Sequence, residues 1–166
     1  MADYRYALYD TYVFGAAASQ GRLFQVAEGG DAVHVTAFTN SRGAGTLPQS
    51  EKFLVDHIYA IEDYVPLIAN RVNITIASWL ELIVSNQSVL KIPLILAWYN
   101  NMYGGHFTQA AAADLAVIGR SGPGYDLSDH PILINGGEQY TVVVSQGTAV
   151  AAASNVKVVL NGVLTT

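Results

Sequence analysis

Apolar and polar residues alternate with a period of two along most of this chain, the pattern of β-strands with one buried face. In the longest such stretch, 52–63, both alternating sets are largely apolar, so we expect this strand to be covered on both faces. Shorter stretches predict further strands over 21–30, 32–38, 71–77, 79–85 and 155–164. Turns containing glycine separate these stretches, which favours one all-β sandwich or barrel formed by residues 1–166.

A strand–turn–strand pattern occupies residues 130–144, which read HPILINGGEQYTVVV. We expect strands over 131–135 and 138–145 to pair as an antiparallel hairpin. Asn135-Gly136-Gly137 would then supply the positive φ angles of a tight turn, which glycine adopts at no steric cost. Either one alternating set or its complement faces the core, depending on the register that the turn sets. We favour the more apolar set: Ile132, Ile134, Tyr140, Val142 and Val144.

Helix signals are few. Pro93 suits the start of a short helix within 89–103, because the proline ring fits a first helical position. Thr108 is suited to capping a second short helix in the alanine-rich segment that follows it. The other alanine-rich segment, 148–154, falls between two predicted strands and is interpreted as a linker.

Charge is scarce in this sequence. Only 13% of the 166 residues are charged and 51% are hydrophobic, whereas globular proteins average about 25% charged residues. Small polar residues and glycine are one way to cover such a surface. Contact with other subunits is the other, and we favour it because depletion of charge is typical of interface cores.

The same composition excludes several classes of protein. The net charge is −5 with 8 Lys and Arg residues and no basic run, which argues against direct nucleic-acid binding. The longest apolar run, 92–99, is far shorter than the roughly 20 residues of a membrane-spanning helix. Charged residues interrupt the N-terminal segment where a signal peptide would be apolar, so we expect a protein made and used without export.

No residue pattern indicates catalysis. The four histidines, at 34, 57, 106 and 130, lack the spacing of metal ligands, and the chain has no cysteine. Asp56 and His57 are neighbours on a predicted strand, where adjacent side chains point to opposite faces and cannot form a dyad. We therefore expect His57 to be a core or interface residue, and the protein to be neither an enzyme nor a carrier of a metal or cofactor.

Aromatic residues are the candidates for contact with a partner. Four tyrosines lie close together near the N-terminus, and we expect residues 1–20 to form an arm that reaches a neighbouring subunit or seals an open end of the barrel. Two further aromatics lie on the long strand 52–63. The candidate interface residues are Tyr4, Tyr6, Tyr9, Tyr12, Phe53 and Tyr59. An aromatic platform for sugar binding is the alternative reading of the tyrosines.

The segment YDLSDHPILINGGEQYTVVV (125–144), followed by NVKVVLNGVLTT (155–166), resembles the C-terminal half of viral jelly-roll capsid proteins. FLVDHIYAIEDY and WLELIVSNQSVLKIPL look like the earlier strands of such a roll. The chain is similar in particular to the smaller major capsid protein of tailless, membrane-containing icosahedral phages of Thermus, over residues 50–164. The resemblance implies a single upright jelly roll of about eight strands, with one or two short helices.

The resemblance also implies a function. The expected protein is made in the host cytoplasm and resides in the virion, where it associates with itself and with a second capsid protein, next to an underlying viral membrane surface. A non-catalytic binding module is the alternative, either a sugar-binding sandwich or a phage decoration or spike protein. A sugar module requires a row of exposed aromatics, whereas a shell protein requires exposed apolar patches.

Overall fold

The chain folds into two mainly antiparallel sheets that pack face to face. The structure is a computed structural model that describes residues 2–30, 38–64, 68–99 and 124–166. Over these described residues the structure is therefore all-β, as the alternation predicts, with two short helices. The elements are β1 (Asp3–Phe14), β2 (Ser19–Leu23), β3 (Lys52–Tyr64), α1 (Ile68–Ala77), β4 (Ser78–Val84), β5 (Gln87–Pro93), α2 (Leu94–Ala97), β6 (Trp98–Tyr99), β7 (Tyr125–Asp126), β8 (Ile132–Asn135), β9 (Tyr140–Gln146) and β10 (Ser154–Thr165).

The two sheets divide the strands between them. In sheet A the order is β1-β10-β3, and the other edge of β3 pairs with three short strands, β6, β7 and β8. In sheet B the order is β2-β9-β4-β5. Strands that follow one another in the chain therefore often lie in different sheets, and the connections cross from one sheet to the other.

The core lies between the sheets. Each long strand turns alternate side chains inward, and the buried apolar residues of both sheets form one contiguous cluster. Its largest wholly buried members are Phe14, Phe24, Phe53, Leu8, Ile58, Ile74, Leu80, Leu82, Leu94, Ile134, Leu160 and Leu164.

The long strand predicted over 52–63 is confirmed as β3, but one feature of it corrects the sequence analysis. A β-bulge interrupts the pairing with β10: Val55 is opposite Gly162 and His57 is opposite Asn161, so Asp56 is an extra residue. The inward-facing set therefore changes phase, and Phe53, Val55, Ile58 and Ala60 are all wholly buried. This phase change explains why both alternating sets of the strand are apolar.

The strand predicted over 71–77 is wrong, because these residues belong to helix α1. Helical geometry places residues four apart on one face, and here Asn70 and Ile74 are buried while Ile76 is exposed. The Asn70 side chain donates to the Ala152 carbonyl (2.9 Å) and accepts from the Ala151 amide (2.9 Å). These tertiary contacts override the β-branched composition of the segment.

The predicted hairpin over 131–145 is also wrong. A tight turn is present, since the Glu138 amide donates to the Asn135 carbonyl (3.1 Å) and Gly137 has a φ of 78°. However, β8 pairs with β3 in sheet A, whereas β9 lies between β2 and β4 in sheet B. The turn is thus a crossover between sheets. The expected inward set is nevertheless buried, apart from Ile132, which is partly buried against the core.

The other predicted strands and helices differ in how far the structure confirms them. The strands predicted over 79–85 and 155–164 are confirmed as β4 and β10, and the helix after Pro93 as α2. The strand predicted over 21–30 is shorter, because β2 ends at Leu23 and the next residue, Phe24, has a φ of 64°. The strand predicted over 32–38 lies outside the described residues except for its last position, and the helix after Thr108 lies wholly outside them.

Candidate functional site

The N-terminal tyrosines lie on a strand of their own chain. Residues 3–14, which the sequence analysis assigns to an arm, pair with β10 along their whole length as β1. Tyr12 is buried in the core, with its ring edge-on to Phe14 at 4.7 Å between centroids. Tyr9 is half-buried on the outer face of sheet A, where the Lys157 ammonium lies 5.1 Å from its ring centroid. That ammonium makes a cation–π contact with the ring.

Tyr4 and Tyr6 lie at one end of the sandwich. Their rings are edge-on to each other at 6.2 Å, and Tyr6 is edge-on to the wholly buried Phe53 at 6.4 Å. The Arg42 guanidinium lies 5.4 Å from the Tyr6 ring centroid and pairs with Glu51 at 2.7 Å. This cluster closes one end of the core, and Tyr4 and Arg42 are its exposed members.

The six aromatic candidates therefore do not form one surface. Phe53 and Tyr12 pack inside the core, Tyr6 packs on Phe53, and Tyr4 is exposed at the end of the sandwich. Tyr9 and Tyr59 lie on the outer face of sheet A, separated by Val159 of β10. The intersubunit role assigned to these residues stays a prediction.

The outer edge of β1 is covered by its own chain. The Asn40 side chain accepts from the Tyr9 amide (2.7 Å) and donates to the Ala7 carbonyl (2.7 Å), as a neighbouring strand would. The Thr11 hydroxyl donates to the Phe38 carbonyl (2.8 Å) and holds the segment before Asn40 against the same strand. Such cover removes the unpaired backbone groups through which an edge strand recruits other chains.

An apolar strip crosses the outer face of sheet A. Val163, Leu54 and Leu133 are Cα partners on three neighbouring strands, and Arg5 follows on β1 in the same row. Leu54 on β3 and Leu133 on the edge strand β8 are 37% and 45% exposed, which is high for large apolar side chains. The sequence signal for these residues is weak, since each is only the outward member of an apolar strand.

A row of ion pairs lies next to this strip. Because of the bulge at Asp56, the Asp56 and His57 side chains share the outer face, and His57 Nδ1 lies 2.8 Å from Asp56 Oδ1. The expectation that these two neighbours point to opposite faces is therefore wrong. Arg5 pairs with the other Asp56 oxygen, and His57 Nε2 lies 3.5 Å from Asp126 Oδ1.

This row links three strands, since Arg5 lies on β1, Asp56 and His57 on β3, and Asp126 on β7. The His57 ring is stacked on Tyr59, with 5.9 Å between ring centroids. Hydrogen bonds from Ser128 hold the pKa of the Asp126 carboxyl below its ordinary value, and His57 acts in the same direction. Because Arg5 and Asp126 are largely exposed, we expect these ion pairs to stabilise the contact between the three strands only modestly.

Among the described residues, no group of three His, Cys, Asp or Glu side chains is arranged to hold a metal ion. Within the same part of the chain, no helix has the length and apolar character needed to cross a bilayer. Comparison of the chain with family models, with curated proteins and with solved structures found no match.

Proposed function

We propose that this chain is a structural subunit that associates with copies of itself and with a second capsid protein to build an icosahedral viral shell. Its activity would then lie in its contact surfaces and not in a reaction. In the virion, the shell subunit would adjoin the partner protein and, as in the membrane-containing phages that it resembles, an underlying membrane surface.

The strand order supports a jelly roll, the fold that this proposal assumes. A jelly roll is a long antiparallel ribbon of eight strands rolled into two sheets, so that the first strand pairs with the last and the fourth with the fifth. When the two-residue strands β6 and β7 are set aside, the ribbon pairs are β1 with β10, β2 with β9, β3 with β8 and β4 with β5. The contacts between turns of the roll are β10 with β3 and β9 with β4.

The observation that carries the functional proposal is the exposure of large apolar side chains on the outer faces of both sheets and on the helices. Sheet A exposes Leu54 and Leu133, and the outer face of sheet B exposes Trp79. The helices expose a further group, consisting of Ile76, Ile95 and Leu96. A subunit within a closed shell has neighbours on several sides, whereas one exposed patch would suffice for a simple dimer.

The scarcity of charge agrees with this distribution. Only 13% of residues are charged, and several of them pair with one another on the surface, as Arg5 does with Asp56 and Lys91 with Glu81. An interface core typically has this composition.

Light scattering at rising protein concentration tests the proposal. We expect the wild-type chain to form oligomers that grow with concentration. Their contacts should be specific interfaces, which bury at least about 1,000 Å² each. The double change Leu54→Glu and Leu133→Glu places two carboxylates in the apolar strip, and we expect it to shift the association midpoint to at least tenfold higher concentration. The reason is that association would remove the two new carboxylates from water without giving them a partner, which costs free energy.

The matched control is the double change Gln49→Glu and Ser50→Glu, which adds the same charge at exposed loop positions. This control should associate like the wild type, and both variants should keep the wild-type circular dichroism. A wild-type chain that stays monomeric at millimolar concentration, alone and with the purified partner capsid protein, would contradict the proposal. Equal weakening by the two double variants would remove the role of the sheet A strip.

A further inference from the structure

A cleft of about 210 Å³ opens at one end of the outer face of sheet B. Its floor is formed by Ile83 and Thr141, which are Cα partners on β4 and β9. Its walls come from β2, from the loop that contains Gly45, and from the turn between β4 and β5. Shell assembly through apolar surfaces gives no reason for a concave polar site at this place.

The walls of the cleft are fixed by the backbone. The Ser85 amide donates to the Gln139 carbonyl (2.8 Å), and the Tyr140 amide donates to the Gly45 carbonyl (2.8 Å). Ser85 and Asn86 both have positive φ angles, 51° and 62°, as in the tight hairpin turns that match the twist of the strands. The cleft is therefore formed before any ligand arrives, which lowers the entropic cost of binding.

Glycine at position 45 keeps one wall open. Its φ is 72°, and a Cβ built there would lie 3.0 Å from Gln25 Nε2 and 3.1 Å from the Tyr140 carbonyl oxygen. Any side chain would therefore be strained and would displace the Gln25 carboxamide from the cleft wall.

Four exposed polar side chains line the cleft. Arg22, Gln25, Asn86 and Gln139 all border it, and none has a side-chain hydrogen bond or ion pair with the described part of the chain. Among the described residues, no acidic side chain lines the cleft. In a chain of net charge −5, this is a local concentration of donors around one guanidinium.

These groups define the chemistry of a ligand. A guanidinium presents a planar pair of donors that matches a carboxylate. A carboxamide both donates and accepts, as a sugar hydroxyl does, so three carboxamides around one guanidinium suit a ring that bears several hydroxyls and one carboxylate. We propose that the cleft binds one acidic sugar unit of the uronic acid class, with its carboxylate on Arg22 and its hydroxyls on Gln25, Asn86 and Gln139.

The size of the cleft limits the ligand to a single ring. Pockets for drug-sized ligands measure roughly 300–1,000 Å³, and this cleft is smaller. A longer glycan would therefore be held by one terminal unit. The cleft lies on the outer face of sheet B and the Leu54–Leu133 strip on sheet A, so ligand binding in the cleft and association through that strip can be measured separately.

The test is a titration of the full chain with sodium glucuronate, followed by two-dimensional NMR and by calorimetry. Saturable binding is expected, with amide shifts concentrated at Ile83, Gln139 and Thr141. The change Arg22→Gln should weaken binding at least tenfold, since it removes a charge-assisted pair. The matched control Lys52→Gln removes one positive charge from an exposed position on sheet A and should bind like the wild type.

Three further probes separate the parts of the proposal. Glucose should bind at least tenfold more weakly than glucuronate, and so should acetate, because each lacks half of the matching groups. Equal binding of acetate would overturn the sugar assignment, and equal binding of glucose would overturn the role of the carboxylate. Tighter binding of inorganic phosphate, unchanged binding by the Arg22→Gln variant, or no saturable binding of glucuronate at millimolar concentration would overturn the proposal.

Discussion

At the scale of single residues, a buried carboxylate joins the two sheets. Asp10 of β1 is 2% exposed, and its side chain accepts from the Phe24 amide (2.5 Å) and from the Thr11 amide (2.9 Å). Phe24 follows β2 of the other sheet and has a φ of 64°, a conformation that costs a bulky residue about 1–3 kcal/mol. The hydrogen bond from Phe24 to Asp10 therefore stabilises the backbone at the point where β2 ends.

The change Asp10→Ala should lower the free energy of unfolding by about 2–4 kcal/mol, because it leaves the buried Phe24 amide without its acceptor. Asp10→Asn should lower it less, since an amide oxygen can still accept. Urea denaturation measures both. Asp3→Ala is the control, because Asp3 pairs with the Thr165 hydroxyl (2.6 Å) at an exposed position. An Asp10→Ala variant within about 0.5 kcal/mol of the wild type, the range of ordinary surface changes, would rule out this role.

Tyr140 gives the structure a sensitivity to alkaline pH. Burial raises the pKa of its phenol from 10.0 to about 12, and the charge of Asp10 acts in the same direction. The unfolded chain loses this proton near pH 10 while the folded chain keeps it. The contribution of Tyr140 to the free energy of unfolding is therefore constant below pH 10 and falls between pH 10 and 12. The slope from this group should approach about 1.4 kcal/mol per pH unit.

Denaturant unfolding of the wild type and of Tyr140→Phe from pH 8 to pH 11.5 measures this contribution as the difference between the two slopes. Tyr125→Phe is the control, because Tyr125 is a half-buried tyrosine on sheet A. Equal slopes for the wild type and Tyr140→Phe above pH 10 would show that burial of Tyr140 does not supply the effect.

At the scale of elements, the sequence predicts strands well where alternation is uninterrupted. β4 and β10 lie within a residue or two of the predicted bounds, and α2 follows Pro93 as expected. The prediction fails where alternation alone does not determine the conformation. Residues 71–77 alternate like a strand, yet the contacts of Asn70 with 151–154 select a helix.

Two other elements show why pairing is harder to predict than strands. The turn at 135–138 forms as expected, but a turn sequence does not state whether the strands on either side share a sheet, and here they do not. The bulge at Asp56 leaves no mark in the alternation, because both sets of β3 are apolar. It alone brings Asp56 and His57 to one face.

The cleft on sheet B was beyond prediction for a similar reason. Its lining comes from four segments that lie far apart in the chain, namely residues 22–25, 44–45, 83–86 and 139–141. Each segment is unremarkable alone, and only the pairing of β2, β9 and β4 brings them together. Long-range pairing of this kind is what local periodicity does not encode.

At the scale of the whole molecule, β1 and β10 hold the ends of the chain together. Their pairing extends over twelve residues, and the Thr166 and Ala2 backbones exchange hydrogen bonds of 3.2 and 3.3 Å beyond it. The first strand is therefore part of the folded sandwich as well as part of its surface. An arm that serves assembly alone would not have buried residues such as Leu8 and Phe14.

Removal of residues 1–14 tests this difference. Burial of a Leu or Phe side chain stabilises a protein by about 1.5–3 kcal/mol, so the loss of Leu8, Tyr12 and Phe14 removes a large part of a typical stability of about 5–15 kcal/mol. We expect the truncated chain to be unfolded or to melt at least 15 °C lower by circular dichroism. Removal of residues 1–2 is the control and should change the melting temperature by less than about 3 °C, because Ala2 is exposed and its loss removes only two backbone hydrogen bonds at the end of the pairing. A truncated chain that melts like the wild type but no longer associates in light scattering would instead show that β1 acts as an assembly arm.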